Sequence, residues 1–187
     1  MSNMPKRNEF ATDTAGTGAI NMSLELIVIP VADVDRAKRF YASLGWRLDL
    51  DFVAGDDYRV IQFTPPGSAC SVMFGKNITA AAPGSAQGLY LIVSDLETAR
   101  DELLRRGIEI DDPMHDSGGV FHHADGKGVA TGLNPQRQSY ASYASFRDPD
   151  GNGWLLQEIT ARLSADVKLG DSRFTRQLLQ AIGAKAG

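Results

Sequence analysis

Apolar residues recur along this chain in two rhythms, one of period two and one near 3.6, and the order of the rhythms occurs twice. Residues 24–31 form a short, β-branched run suited to a strand buried on both faces. Asp33 follows, where its side-chain oxygen can cap a helix. Ala37, Phe40, Tyr41 and Leu44 then recur at the i, i+3, i+4, i+7 spacing of one helical face, and Gly45 supplies the left-handed residue that ends it. Residues 46–52, 58–63 and 69–74 predict three strands, separated by Ala54-Gly55-Asp56 and Pro65-Pro66-Gly67. The series then begins again. Residues 89–93 predict a strand, Asp95 caps a helix that ends at Gly107, and residues 154–159 predict a last strand. Beyond it a short helix is expected, capped by Asp171 or Ser172 and apolar at Phe174, Leu178, Leu179 and Ile182.

Residue identities make the duplication explicit. Val31-Ala32-Asp33-Val34 with Ala37 and Gly45 returns as Val93-Ser94-Asp95-Leu96 with Ala99 and Gly107, at an offset of 62 (93 minus 31). Pro65-Pro66-Gly67-Ser68 matches Pro149-Asp150-Gly151-Asn152 at an offset of 84 (149 minus 65). Internal copies of this kind decide the architecture. The prediction is an α+β fold of two tandem βαβββ modules forming a cupped, mixed β-sheet with helices outside. Residues 1–22 read as a disordered leader, 23–76 as the first module, 77–87 as a linker, 88–160 as the second module and 161–187 as a tail with a short helix. The second copy is longer by 22 residues (84 minus 62), and the surplus is expected at 111–138 as a hairpin or lid.

Composition narrows the function classes. A chain of 187 residues with 43% hydrophobic content can bury a core, and a net charge of −4 with both signs interspersed gives no footprint for nucleic acid or an anionic membrane. No apolar stretch approaches the roughly 20 residues that span a bilayer. The N-terminal residues lack the apolar centre of a signal peptide, so a cytoplasmic location is expected. The single cysteine, Cys70, reads as a plain core thiol. The expected partner is a small molecule, in a homodimer.

The segment 31–41 with Leu44-Gly45, together with Asp148-Pro149-Asp150-Gly151-Asn152, resembles the vicinal oxygen chelate superfamily of glyoxalases, bleomycin-resistance proteins and extradiol dioxygenases. The resemblance spans roughly residues 24–160. It implies a cup that binds a small ligand and, in enzymatic members, a divalent metal held at its floor by His and Glu. Carried over by motif, the ligand positions fall on Leu26 and Gly88 in the first strands and on Ser71 and Leu155 in the last. None offers the imidazole, carboxylate or thiolate that such an ion requires, so no metal and no cofactor is expected. A one-residue slip would bring Glu25 into the first slot, but strand alternation would then turn Leu26, Val28 and Pro30 to the other face.

Other candidates come from the residues themselves. His115, His122 and His123 lie in the insertion near Asp112, Asp116 and Asp125, at a spacing that fits no standard metal site. Of the three, His115 is the expected proton-transfer residue, because it precedes Gly118-Gly119 and an imidazole titrates near neutral pH. Alternation sends Leu26, Val28, Gly88, Tyr90 and Ile92 into the cup, and Leu155 and Gln157 with them, while Trp154, Leu156 and Glu158 face away. Arg59 and Tyr143 are equivalent at the offset of 84, so both are expected to line the cavity. The substrate-binding set is thus Arg59, Ser71, Tyr90, Gln157, Leu26 and Leu155, with His115 and Tyr143 as the catalytic pair of any reaction. Asp148 is expected to be structural. Three functions stay open: sequestration of a small, aromatic molecule without a metal, which is the leading one; a metal-independent isomerase or lyase using His115 and Tyr143; and a metal-dependent glyoxalase or dioxygenase with non-standard ligands.

Overall fold

A computed structural model describes residues 20–117, 126–164 and 166–184. The first module runs β1 (Leu26–Val28), α1 (Val34–Ser43), β2 (Arg47–Ala54), β3 (Tyr58–Thr64) and β4 (Ser71–Lys76), in a four-stranded sheet of order β1-β4-β3-β2. The second runs β5 (Leu89–Val93), α2 (Leu96–Arg105), β6 (Met114–Asp116), β7 (Val129–Thr131), β8 (Ser142–Arg147) and β9 (Gly153–Glu158), in order β5-β9-β8-β6-β7. The two orders are the same, with β7 added at the second sheet's edge. In each sheet the first strand pairs parallel to the last and the remaining pairs are antiparallel. The predicted tandem βαβββ modules and the α+β class are therefore both present. The leader at residues 1–19, and the 118–125 segment with Gly118, Gly119, His122, His123 and Asp125, lie outside the described residues.

Local chemistry accounts for the element ends. Asp33 accepts from Arg36 N at 2.9 Å and Asp95 from Thr98 N at 2.9 Å, so each helix begins on a satisfied cap. Gly45 (φ 78°) and Gly107 (φ 79°) close the two helices in the left-handed region. The first strand is shorter than its apolar run, because Pro30 cannot donate to the ladder beyond Ile29. The last helix, α3 (Arg176–Ala181), starts one turn later than expected: Thr175 caps it, accepting from Leu178 N at 3.2 Å, while the Asp171 carboxylate is held by Arg173 at 2.6 Å.

The helix-facing sides of the two sheets pack on each other. Ile29, Ile61, Phe63, Val72 and Phe74 of the first module share one core with Ala144, Phe146, Trp154 and Leu156 of the second. Tyr41 of α1 is fully buried at their junction and touches Phe74 on one side and Trp154 on the other. Its hydroxyl donates to Asp148 Oδ2 at 2.8 Å and accepts from Trp154 Nε1 at 3.1 Å. The Asp-Pro-Asp-Gly-Asn turn is thus structural, as expected, and it is also the clamp between modules. Asn152 Nδ2 donates to Pro30 O at 2.9 Å, and Asp150 Oδ1 accepts from Ala32 N at 3.1 Å and Arg36 Nη2 at 2.7 Å. Glu158, wholly buried, accepts from Leu96 N at 2.9 Å and from Arg137 Nη2 at 2.6 Å, fixing α2 to the segment that follows β7.

Candidate functional site

Alternation leaves each sheet with a second face, turned away from the shared core. On the second sheet this open face carries Tyr90 and Ile92 of β5, Leu155 and Gln157 of β9, and Tyr143, Ser145 and Arg147 of β8, all consistent with the strand register. On the first it carries Leu26, Val28, Ser71, Met73, Leu50 and Phe52. Large apolar side chains stay in water there: Val28 is 42% exposed, Phe52 51%, Tyr90 49% and Ile92 47%. Exposed apolar surface concentrated on two concave sheets is the mark of a binding face.

A cleft of about 430 Å³ occupies the second open face, lined by Tyr90, Leu155, Ser145, Arg147, Glu109 and Asp111 among others. That volume falls within the range of about 300–1,000 Å³ found for small-molecule sites. Tyr90 and Leu155 give its lining apolar surface, and Gln87, Glu109, Asp111, Ser145 and Arg147 make the rest polar. Arg147 donates through Nη1 to Gly151 O at 2.9 Å and Gln87 Oε1 at 3.3 Å, while its Nε and Nη2 have no partner among the described residues. Ser145 Oγ donates to Asp111 Oδ2 at 2.8 Å. Burial first, then the Asp116 carboxylate and Tyr90, push the Tyr143 phenol up to about 12. At neutral pH Tyr143 is therefore a neutral hydroxyl, suited to hydrogen bonding and unsuited to acting as a phenolate base.

Six of the eight predicted site residues lie on the open sheet faces, four on the second sheet and Leu26 and Ser71 on the first. Tyr90 and Leu155 line the cleft; Tyr143 and Gln157 are register partners beside it; Leu26 lies on the open face of the first sheet. Gln157 Nε2 donates to Tyr140 O at 2.8 Å, which leaves its carbonyl oxygen as the acceptor. Ser71 also faces this side of the first sheet, but it is buried and bonded to Thr64 Oγ1 at 2.8 Å, and Thr64 in turn donates to Asp49. The hydrogen bond from Thr64, then that from Arg47, holds the Asp49 carboxyl below the usual carboxylate range.

Two placements differ from expectation. Arg59 lies on the helix side, level with Ile61, where it donates to Asp51 at 2.8 Å and Asp35 at 2.8 Å; the Arg59 guanidinium, with Lys38, holds the Asp51 carboxyl far below its ordinary value. His115 pairs with Ser142 in register and so faces away from Met114 and Tyr143; its Nδ1 meets Gly132 O at 2.8 Å. His115 and Tyr143 therefore lie on opposite faces of one sheet and form no acid–base pair. The first error has a geometric source. The turn between β3 and β4 spans residues 65–70 and that between β8 and β9 spans 148–152, one residue fewer, so the turn motifs align at 84 while the flanking strands do not. In register, Val28↔Met73 corresponds to Tyr90↔Leu155, so Met73 rather than Ser71 is the counterpart of Leu155. Cys70 is half-buried rather than in the core, and burial raises its thiol.

The four positions that would carry a metal thus hold Leu26, Met73, Gly88 and Leu155, and their donor chemistry does not fit a divalent ion. No group of three or more His, Cys, Asp or Glu converges among the described residues. Sequence reasoning passed over Ser145 and Arg147, although alternation from Tyr143 reaches both. Gln87, Glu109 and Asp111 enter through irregular segments that carry no periodic signal.

Comparison with known proteins places these features in a family. The profile of the Glyoxalase/Bleomycin resistance protein/Dioxygenase superfamily matches residues 23–156. No curated protein sequence matches the chain. Among solved structures, TnmS3, an antibiotic binding protein from Streptomyces sp. CB03234, is 25% identical with a TM-score of 0.55, over 75% of this chain and 98% of its own. A glyoxalase/bleomycin resistance protein from the same Streptomyces is 28% identical with a TM-score of 0.51, over 73% and 100%. A superfamily member from Sphaerobacter thermophilus DSM 20745 is 25% identical with a TM-score of 0.54, over 74% and 98%.

Proposed function

Since the chain belongs to the Glyoxalase/Bleomycin resistance protein/Dioxygenase superfamily, we propose that it binds a small aromatic molecule on its open sheet faces, without a metal and without changing it. The observation that carries this reading is the cleft itself: Tyr90 and Leu155 bring apolar surface to it beside the polar Ser145 and Arg147, and the neutral phenol of Tyr143 stands next to Ser145's strand neighbours on the same sheet face. A flat aromatic ligand gains from stacking on Tyr90, and the polar side chains offer donors and acceptors for its substituents. TnmS3, an antibiotic binding protein similar over 75% of the chain, supports a small organic molecule as the ligand.

The cup is completed by a second copy of the chain. Within one chain the helix sides share a core, so the open faces of the two sheets turn away from each other. Each is half a cup, and the exposed Phe52 and Val28 of one protomer are suited to cover the Tyr90 and Ile92 face of its partner.

Calorimetric titration with a panel of uncharged one-, two- and three-ring aromatic compounds tests the proposal. A saturable complex from which the compound is recovered unchanged is expected, and Tyr90→Ala should weaken it roughly tenfold, the equivalent of about 1.4 kcal/mol. A compound consumed on incubation, or an affinity untouched by Tyr90→Ala, would count against binding at this cleft.

A further inference from the structure

His115, excluded from the cup, opens onto a different cavity. A cleft of about 280 Å³ lies between the β6 end and the C-terminal segment, lined by His115, Ser117, Asn134, Gln136, Gln138, Gln177 and neighbours. It is on the far side of the second sheet from Tyr90, and Gln177 lies beyond the residues that the family profile matches. We infer that this cleft is a second binding site, for a small, neutral, hydroxyl-rich molecule of the size of a monosaccharide.

Several of the cleft's polar atoms are already committed, and those left over define the ligand. Gly132 O can only accept, so His115 Nδ1 carries the proton in that bond and Nε2 is left as the ring's second hydrogen-bonding atom. Asn134 is nearly buried, and its Oδ1 accepts from Gln136 N at 3.2 Å and Gln138 N at 3.1 Å, which leaves Nδ2 to donate. Gln138 Nε2 ties the wall to the C-terminal segment through Phe174 O at 2.9 Å. The side-chain amides of Gln136 and Gln177 have no partner among the described residues. Each amide both donates and accepts, as does each hydroxyl of a polyol, so the two sets match without net charge. No Lys or Arg lines the cleft, which disfavours an anion; its one acidic residue, Asp116, alternates with His115 and so shares the Tyr143 face of the sheet; and desolvating several amides against an apolar ligand would be costly. Its volume lies just under the range of about 300–1,000 Å³ typical of drug-sized ligands, as a smaller molecule requires.

Amide ¹H–¹⁵N correlation spectra of the full chain, titrated with methyl α-glucopyranoside, provide the test. Saturable shifts are expected at Asn134, residues 136–138 and residues 175–177, lost in the Gln136→Ala/Gln177→Ala variant and retained in Tyr90→Ala. The spectrum of each variant reports its own folding. Absence of saturable shifts, shifts that survive the double substitution, shifts confined to the Tyr90 cleft, or tighter binding of acetate or tetramethylammonium at the same residues would each overturn the inference. Because Tyr90 takes no part, these outcomes are independent of whether the cup binds an aromatic molecule.

Discussion

Tyr41→Ala is expected to lower the free energy of unfolding by about 3–5 kcal/mol, the range for truncating a buried aromatic side chain. Tyr41 touches both halves of the core with its ring and joins them with its hydroxyl. Burial, with the Asp148 carboxylate next, drives its phenol far above the ordinary value, so it stays a neutral donor to Asp148 at any pH the fold tolerates. Tyr41→Phe keeps the packing but orphans Trp154 Nε1 and removes one of the two side-chain donors to Asp148 Oδ2, which Asn152 Nδ2 still holds at 2.7 Å. It should cost about 1–3 kcal/mol. Denaturant unfolding of the two variants separates the packing from the hydrogen bonds: equal losses would show that the hydroxyl contributes nothing, and no loss in either would show that the modules are not joined here.

Phe52→Asp should dissociate the dimer and remove ligand binding together. Phe52 lies on an edge strand whose eight residues are all exposed in the single chain, an unusual condition for a sequence carrying Leu48, Leu50, Phe52 and Val53. In the proposed dimer the substitution enters twice, and burying a carboxylate costs more at each site than the about 1–3 kcal/mol of an uncharged polar group, so the dimer Kd should rise by at least about a hundredfold. Sedimentation velocity checks the assembly and calorimetry checks the ligand. A variant that remains dimeric and binds normally would mean that the partner does not complete the cup.

The sequence made the fold legible because the strand and helix periods, the Asp caps and the helix-ending glycines were repeated at a fixed offset, and each copy supported the other. Facing directions on β5 and β9 followed from alternation once the resemblance anchored Gly88 and Leu155, which is why Tyr90, Leu155 and Gln157 share one sheet face as expected; Tyr143 reached the same face only through its supposed equivalence with Arg59. Arg59 was misplaced because alternation inverts with a single residue of turn length, and a turn motif that matches in sequence does not fix the strand beside it. His115 was misplaced because no periodic signal orients a three-residue strand inside an insertion. The clamp by Asp148, Asn152 and Tyr41 was legible only in part: the turn chemistry was evident, but its partner more than a hundred residues away was not.

The central claim is that this member of the superfamily binds its ligand through sheet side chains, with no ion at the floor of the cup. The most direct measurement is the affinity of the wild-type chain for its best aromatic ligand after exhaustive dialysis against a chelator, and again with zinc, manganese or ferrous iron restored. The account predicts one Kd throughout and no turnover in any sample. Binding or conversion that appears only when an ion is returned, at one ion per cup, would contradict it.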